Sequence, residues 1–175
     1  MPVDRLTGAS RRAMVSDSSA GPMRFLTIFF ATGFYSGYAP SAPGTAGSIV
    51  GLVIWWLIFA PLWHASPAAA IALWAVIFIA GCFISGHAEI IFGQHDSSKI
   101  VIDEICGMIA TMFFNSGGWI HLAIGFAAFR VFDILKPFPA NQIDRRMGGG
   151  AGVMFDDLAA AIYANLVLQL ASRLI

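Results

Sequence analysis

The sequence predicts an all-α, polytopic membrane bundle, and three observations carry that reading. Hydrophobic residues fill 58% of the 175 positions and charged residues 11%, with a mean hydropathy of +0.75; soluble domains carry about 45–50% and about 25%. Apolar stretches recur at 23–36, 46–63, 68–86, 104–115, 119–135 and 157–174, several of them near the roughly 20 residues that a crossing helix needs. The acids are concentrated: six of the ten fall in the last 73 residues, as Asp103-Glu104, Asp133, Asp144 and Asp156-Asp157.

Residues 1–22 contain Arg5, Arg11 and Arg12 and a Ser/Ala/Gly-rich run without apolar periodicity, which reads as a flexible tail. Residues 23–175 read as a single membrane-embedded domain. The apolar run from Phe25 to Ala31 is short and passes into a Gly/Pro loop, not a small-residue cleavage site, so it is read as an interfacial or re-entrant helix instead of a secretory signal. Segments 46–63, 68–86 and 157–174 are long enough to span. The 104–115 segment is not, and Asn115-Ser116-Gly117-Gly118 turns it into 119–135. Four to five membrane helices result.

Counting crossings from Thr45 puts every polar cluster on one side of the membrane. That side also receives Lys99, Lys136, Arg145 and Arg146, so the positive-inside rule makes it cytoplasmic. The formal net charge is zero, leaving no global basic field for nucleic acid; the expected partner is lipid. Cys82 and Cys106 lie in apolar stretches without CxxC spacing and read as packed thiols.

Four polar segments therefore meet on one surface. In Ser41-Ala42-Pro43-Gly44-Thr45-Ala46-Gly47-Ser48, Thr45 either caps a helix or, with Ser48, offers donors to a phosphate at the helix N-terminus. Asp103-Glu104 and Asp156-Asp157 both open apolar helices, where the dipole favours one acid each. Two adjacent acids exceed what capping explains, and two such pairs on one face repel unless a cation sits between them. A hard ion such as Mg²⁺ suits carboxylate oxygens. Arg130 and Asp133 share a helix face ahead of Lys136-Pro137; they form either a structural ion pair, or a site in which Asp133 meets metal while Arg130 and Lys136 meet phosphate oxygens. Asp144-Arg145-Arg146, followed by Gly148-Gly149-Gly150, reads as a loop over the site or a solvated loop. Ser85-Gly86-His87 echoes a fragment of another phosphatase signature whose remaining motifs are missing, and is taken as chance.

Four motifs then carry a family resemblance: Ala42-Pro43-Gly44-Thr45-Ala46-Gly47-Ser48; Ile100-Val101-Ile102-Asp103-Glu104 with Gly107-Met108; Phe129-Arg130-Val131-Phe132-Asp133-Ile134-Leu135-Lys136-Pro137-Phe138-Pro139; and Gly152-Val153-Met154-Phe155-Asp156-Asp157. In order and spacing the chain resembles the bacterial phosphatidylglycerophosphatase A family over about residues 25–172. Phe138, where the family is expected to carry tryptophan, and a longer N-terminal tail are departures.

The resemblance implies Mg²⁺-dependent hydrolysis of the phosphomonoester of phosphatidylglycerophosphate to phosphatidylglycerol and phosphate, in the inner membrane with the site facing the cytoplasm. The residues expected to carry it are Asp103, Glu104, Asp133, Asp156 and Asp157 for metal and catalysis, and Thr45, Ser48, Arg130, Lys136 and Arg145 for the phosphate. The nucleophile is either a metal-activated water with one carboxylate as base, or Asp103, Asp156 or Thr45 through a covalent intermediate. The rival class is a cation- or proton-coupled transporter, which requires acids distributed through membrane depth.

Overall fold

The computed structural model describes residues 21–115, 118–138, 140, 142 and 147–174; residues 1–20 of the expected tail, and Asp144, Arg145 and Arg146, lie outside the described residues. Among the described residues all regular structure is helical: α1 Pro22–Ala31, α2 Pro43–Ala65, α3 Pro67–Phe92, α4 Ile102–Met112, α5 Trp119–Leu135 and α6 Gly149–Ala171, with a 3₁₀ turn at Ser36–Tyr38. The helices α2, α3 and α6, of 23, 26 and 23 residues, are long and apolar enough to cross a membrane. At 10 residues α1 rises only about 15 Å, too short to cross, and presents Met23, Phe25, Leu26 and Phe30 outward.

Each boundary has a local cause. The α2–α3 corner is set by Ser66, whose side chain accepts from Ala69 N at 3.3 Å, followed by Pro67 at the first helical position. Gly93, at φ +65°, ends α3 in the left-handed conformation. Pro61 lies within α2, and the preceding turn, Trp55–Phe59, is widened to π geometry; the wider turn makes room for a ring that has no N–H and crowds the carbonyl four residues earlier. The sequence reading opened the last helix near Asp157, but α6 begins at Gly149 and carries Asp156-Asp157 two turns inside. Close contact demands glycine at position 150: a Cβ on Gly150 would collide with Cys82 O and Gly86 N of α3.

Glycines bring the other helices together in the same way. A Cβ at Gly47 would lie 2.7 Å from Val101 Cβ, and one at Gly51 2.9 Å from both Ile105 O and Met108 Cβ, so α2 lies directly on α4. One at Gly107 would meet the Phe129 ring at 2.7 Å and Asp157 O at 3.3 Å, which seats α5 and α6 on the opposite side of α4. Such small-residue contacts are how helices pack where lipid removes the hydrophobic drive.

The centre of the bundle is therefore α4, with nine of its 11 residues buried. It stops partway through the bundle, and its last carbonyls would be orphaned in an apolar setting. Asn165 of α6 donates to Thr111 O at 2.8 Å and Phe113 O at 2.6 Å, and Asn115 Nδ2 donates to Phe113 O at 3.0 Å. Trp55, Phe59, Trp63 and Trp74 surround the Phe113 ring, with centroids 5.3 to 6.4 Å away, and fill the space beyond the helix end. The paired contacts Gly150 with Gly86, Gly47 with Val101 and Gly107 with Phe129 align the N-termini of α2, α4 and α6 with the C-termini of α3 and α5 at one end.

Asn165→Leu removes both donors from the end of α4. Phe113 O keeps Asn115 as a donor, whereas Thr111 O loses its side-chain partner at a cost of about 1–3 kcal/mol, so the thermal midpoint in detergent is expected to fall by a few degrees; an unchanged midpoint would remove Asn165 from this role.

Candidate functional site

The end where those termini meet carries the chain's polar chemistry. Asp103 and Glu104 occupy the first turn of α4, behind Val101. Val101 is anchored by its N–H to Ala31 O at 2.9 Å. Asp157 comes from the third turn of α6, held close by the Gly107 contact. One carboxylate oxygen from each of Asp103, Glu104 and Asp157 lies within 4.8 Å of the others. Asp103 is 7% exposed and Asp157 3%.

Three like charges at this spacing are unfavourable by themselves. At 4.8 Å and an effective dielectric of about 20, each ionised pair repels by about 3–4 kcal/mol. The hydrogen bonding sharpens the point. Among the described residues, the buried side-chain atoms without a partner are Asp103 Oδ1, Glu104 Oε2, Asp157 Oδ2, Arg130 Nε and Ser85 Oγ. Buried polar groups are ordinarily satisfied, and here each of the three clustered carboxylates, from two helices, keeps one oxygen without a partner. That donor set fits a hard divalent cation.

Arg130 lies along the second edge of the site. Its Nη1 is paired with Asp133 and reaches Ser48 Oγ at 3.5 Å, while Ser48 Oγ donates to Gly44 O at 2.9 Å. A Cβ on Gly44 would collide with Glu104 Oε1 and come within 3.1 and 3.2 Å of Arg130 Nη1 and Nη2. Gly44 thus lets the first turn of α2 touch the acid cluster and the guanidinium together. Sequence reading gave this glycine no role of its own; the Pro-Gly pair ahead of a helix was the available signal.

The remaining expected residues divide. Asp133, besides pairing with Arg130, stands close to both Glu104 and Asp157. Asp156 points elsewhere: it accepts from Lys136 Nζ at 2.6 Å and from Asp157 N at 2.9 Å. Lys136 closes α5 at φ +42° ahead of Pro137. Thr45 lies half-buried in the first turn of α2 and is not its cap; Ala42, at φ +52°, takes that position without a side-chain cap bond. Arg145 lies outside the described residues. Ser85, whose hydroxyl is buried without a partner, was set aside in the sequence reading.

A sequence profile described as phosphatidylglycerophosphatase A matches residues 29–172. The chain is 37% identical over 139 residues to a phosphatidylglycerophosphatase A of Haemophilus influenzae, covering 79% of this chain and 83% of the relative. It is 34% identical over 143 residues to the phosphatidylglycerophosphatase A of Escherichia coli, covering 79% and 78%. A Bacteroides thetaiotaomicron protein named "Putative phosphatidylinositol-3-phosphatase" is 33% identical over 151 residues, covering 84% and 94%. No solved structure matches the chain.

Glu104→Gln and Asp157→Asn each remove one of the crowded charges. In EDTA both variants are expected to melt at or above the temperature of the unaltered protein, because repulsion is relieved. Millimolar Mg²⁺ should raise the midpoint of the unaltered protein, as binding to the native state alone must, and leave the variants nearly unmoved. An equal Mg²⁺ response in all three would count against a cation between these carboxylates.

Proposed function

The chain belongs to the phosphatidylglycerophosphatase A family, and from that premise we propose that it hydrolyses the phosphomonoester of phosphatidylglycerophosphate, with Mg²⁺ as cofactor, releasing phosphatidylglycerol and inorganic phosphate. The observation that carries the metal part is the convergence of unpartnered, buried oxygens from Asp103, Glu104 and Asp157.

A divalent ion held by these three residues would neutralise the phosphate and make a water acidic enough to attack at neutral pH. Phosphoryl transfer asks the protein mainly for positioning and for charge placed where it develops. Arg130 supplies the planar fork suited to two phosphate oxygens. Asp133 and Ser48 fix the plane of that guanidinium. The opening turn of α2, brought close by Gly44, turns the positive end of a helix toward the same space. The Lys136–Asp156 pair at 2.6 Å flanks the triad and places a second cation at its edge. Asp133, close to Glu104 and Asp157 but outside the triad, is the carboxylate placed to take a proton from attacking water. Acyl chains stay in hydrocarbon while the headgroup enters at the polar end.

Lys99, Arg130 and Lys136 lie toward that end, against Arg173 at the other, among the described residues; the bias supports a cytoplasmic site in the inner membrane. The described acids also gather there instead of lining the membrane depth, which favours an enzyme over a transporter. The Bacteroides relative's name points to a different lipid phosphomonoester, so phosphatidylinositol 3-phosphate is the informative competing substrate.

With full-length protein in mixed micelles, phosphate release from phosphatidylglycerophosphate is expected, to stop in EDTA and to return with Mg²⁺. Folded protein that releases none would sink the activity, faster release from phosphatidylinositol 3-phosphate would reassign the substrate, and release indifferent to EDTA would sink the metal. Arg130→Ala should lower kcat/KM by about 10²–10³-fold, and Arg130→Lys should recover little of it, because a point charge lacks the two-pronged geometry.

A further inference from the structure

We propose that the cleft between α2 and α5 is the seat of one acyl chain of the phospholipid substrate; the inference rests on the reading above and specifies how the substrate lies. The cleft encloses about 510 Å³ and is lined wholly by apolar side chains, among them Ile49, Val53 and Trp56 of α2 and Ala123, Phe126 and Trp119 of α5.

Its position relative to the polar site is fixed by helix register. Ile49 directly follows Ser48, and Phe126 precedes Arg130 by about one turn. The 3.5 Å approach of Arg130 Nη1 to Ser48 Oγ therefore lies just above the upper end of the cleft. The Trp56 and Trp119 rings, 6.0 Å apart between centroids, close the lower end. Between them Ile49 to Trp56 gives about 10 Å of helix rise. The small side chain of Ala123 leaves the middle open, and Val53, at 48% exposed, opens it sideways to lipid. A phosphomonoester held at Arg130 must send its glycerol esters away from the polar end, and this cleft starts immediately beneath.

A second apolar cleft of similar volume lies between α1, α2, α3 and α4, with Phe30, Ile58 and Ala80 in its walls. Its upper end meets Gly33 and Ile102, not the Ser48–Arg130 edge, so a lipid seated there is not led to the guanidinium. Bilayer hydrocarbon is as apolar as either cleft. The benefit of a chain in the α2–α5 seat is accordingly positional: it sets the depth and direction of the phosphate, and misplacement of reacting atoms is costly to rate.

The experiment compares a long-chain substrate, dioleoyl phosphatidylglycerophosphate in mixed micelles, with its water-soluble dibutyryl analogue, whose chains do not reach down the cleft. Ala123→Trp and, from the opposite wall, Val53→Trp fill the seat; both positions face lipid, so folding is spared. Both variants are expected to lose about tenfold in kcat/KM on the long-chain substrate and to keep the unaltered protein's rate on the short one. Ala80→Trp, in the other cleft, should match the unaltered protein on both. Equal loss on both substrates, no loss on either, or a selective loss caused by Ala80→Trp instead would overturn the seat while leaving the phosphatase intact. If the unaltered protein hydrolyses neither substrate, the phosphatase reading itself falls and the seat with it.

Discussion

Several carboxylates cannot be gathered inside an apolar helix bundle without something to hold them there, and that requirement organises this molecule. Asp103, Glu104 and Asp157 bring oxygens within 4.8 Å of one another with no hydrogen-bond donor between them. Arg130 is spoken for by Asp133, and Lys136 by Asp156. A divalent cation held by the triad would balance the charge gathered there. A fold that placed these acids by chance would have been under pressure to turn them outward; α4 instead buries Asp103 and presents Glu104 to Gly44 of α2.

Precision in the triad depends on a helix that never crosses. A half-length α4 positions its first turn at the polar end and frees the other half of the bundle for aromatic packing around Phe113. Ending a helix among apolar side chains leaves carbonyls exposed to hydrocarbon, and membrane interiors tolerate that only where protein groups satisfy them. Asn165 does so from α6, the same helix that carries Asp157. One helix thus contributes an acid at one end of α4 and a cap at the other, which ties the depth of Asp157 to that of Asp103 and Glu104.

Much of this was legible in the residues. Hydropathy marked the spanning segments and the shortness of α4, because burial in lipid leaves a long uniform signal. Parity of crossings then put every acid at one end, and the doubled acids exceeded what capping explains. Other features were hidden for physical reasons. The start of α6 was placed near Asp157 because Gly148–Gly150 reads as a loop, whereas Gly150 already packs in the helix against Cys82 and Gly86, where a Cβ has no room. Separating Asp156 from Asp157 required knowing which face of α6 turns to α4 and which to Lys136. Thr45 looked like a cap, yet Pro43 fixes the helix start two residues earlier. Gly44 has no side chain to advertise what it permits.

The charge arrangement also constrains the order of events in the proposed reaction. Among the described residues at the site, five acids, Asp103, Glu104, Asp133, Asp156 and Asp157, face two cations, Arg130 and Lys136. At these described side chains, a phosphomonoester arriving without a metal would meet more acids than cations. A divalent cation held by Asp103, Glu104 and Asp157 would reverse that balance. In the proposed mechanism the metal is therefore part of phosphate recognition and not only of bond cleavage. The guanidinium, held in plane by Asp133 and Ser48, then supplies direction to a ligand whose attraction to the site depends on the cation.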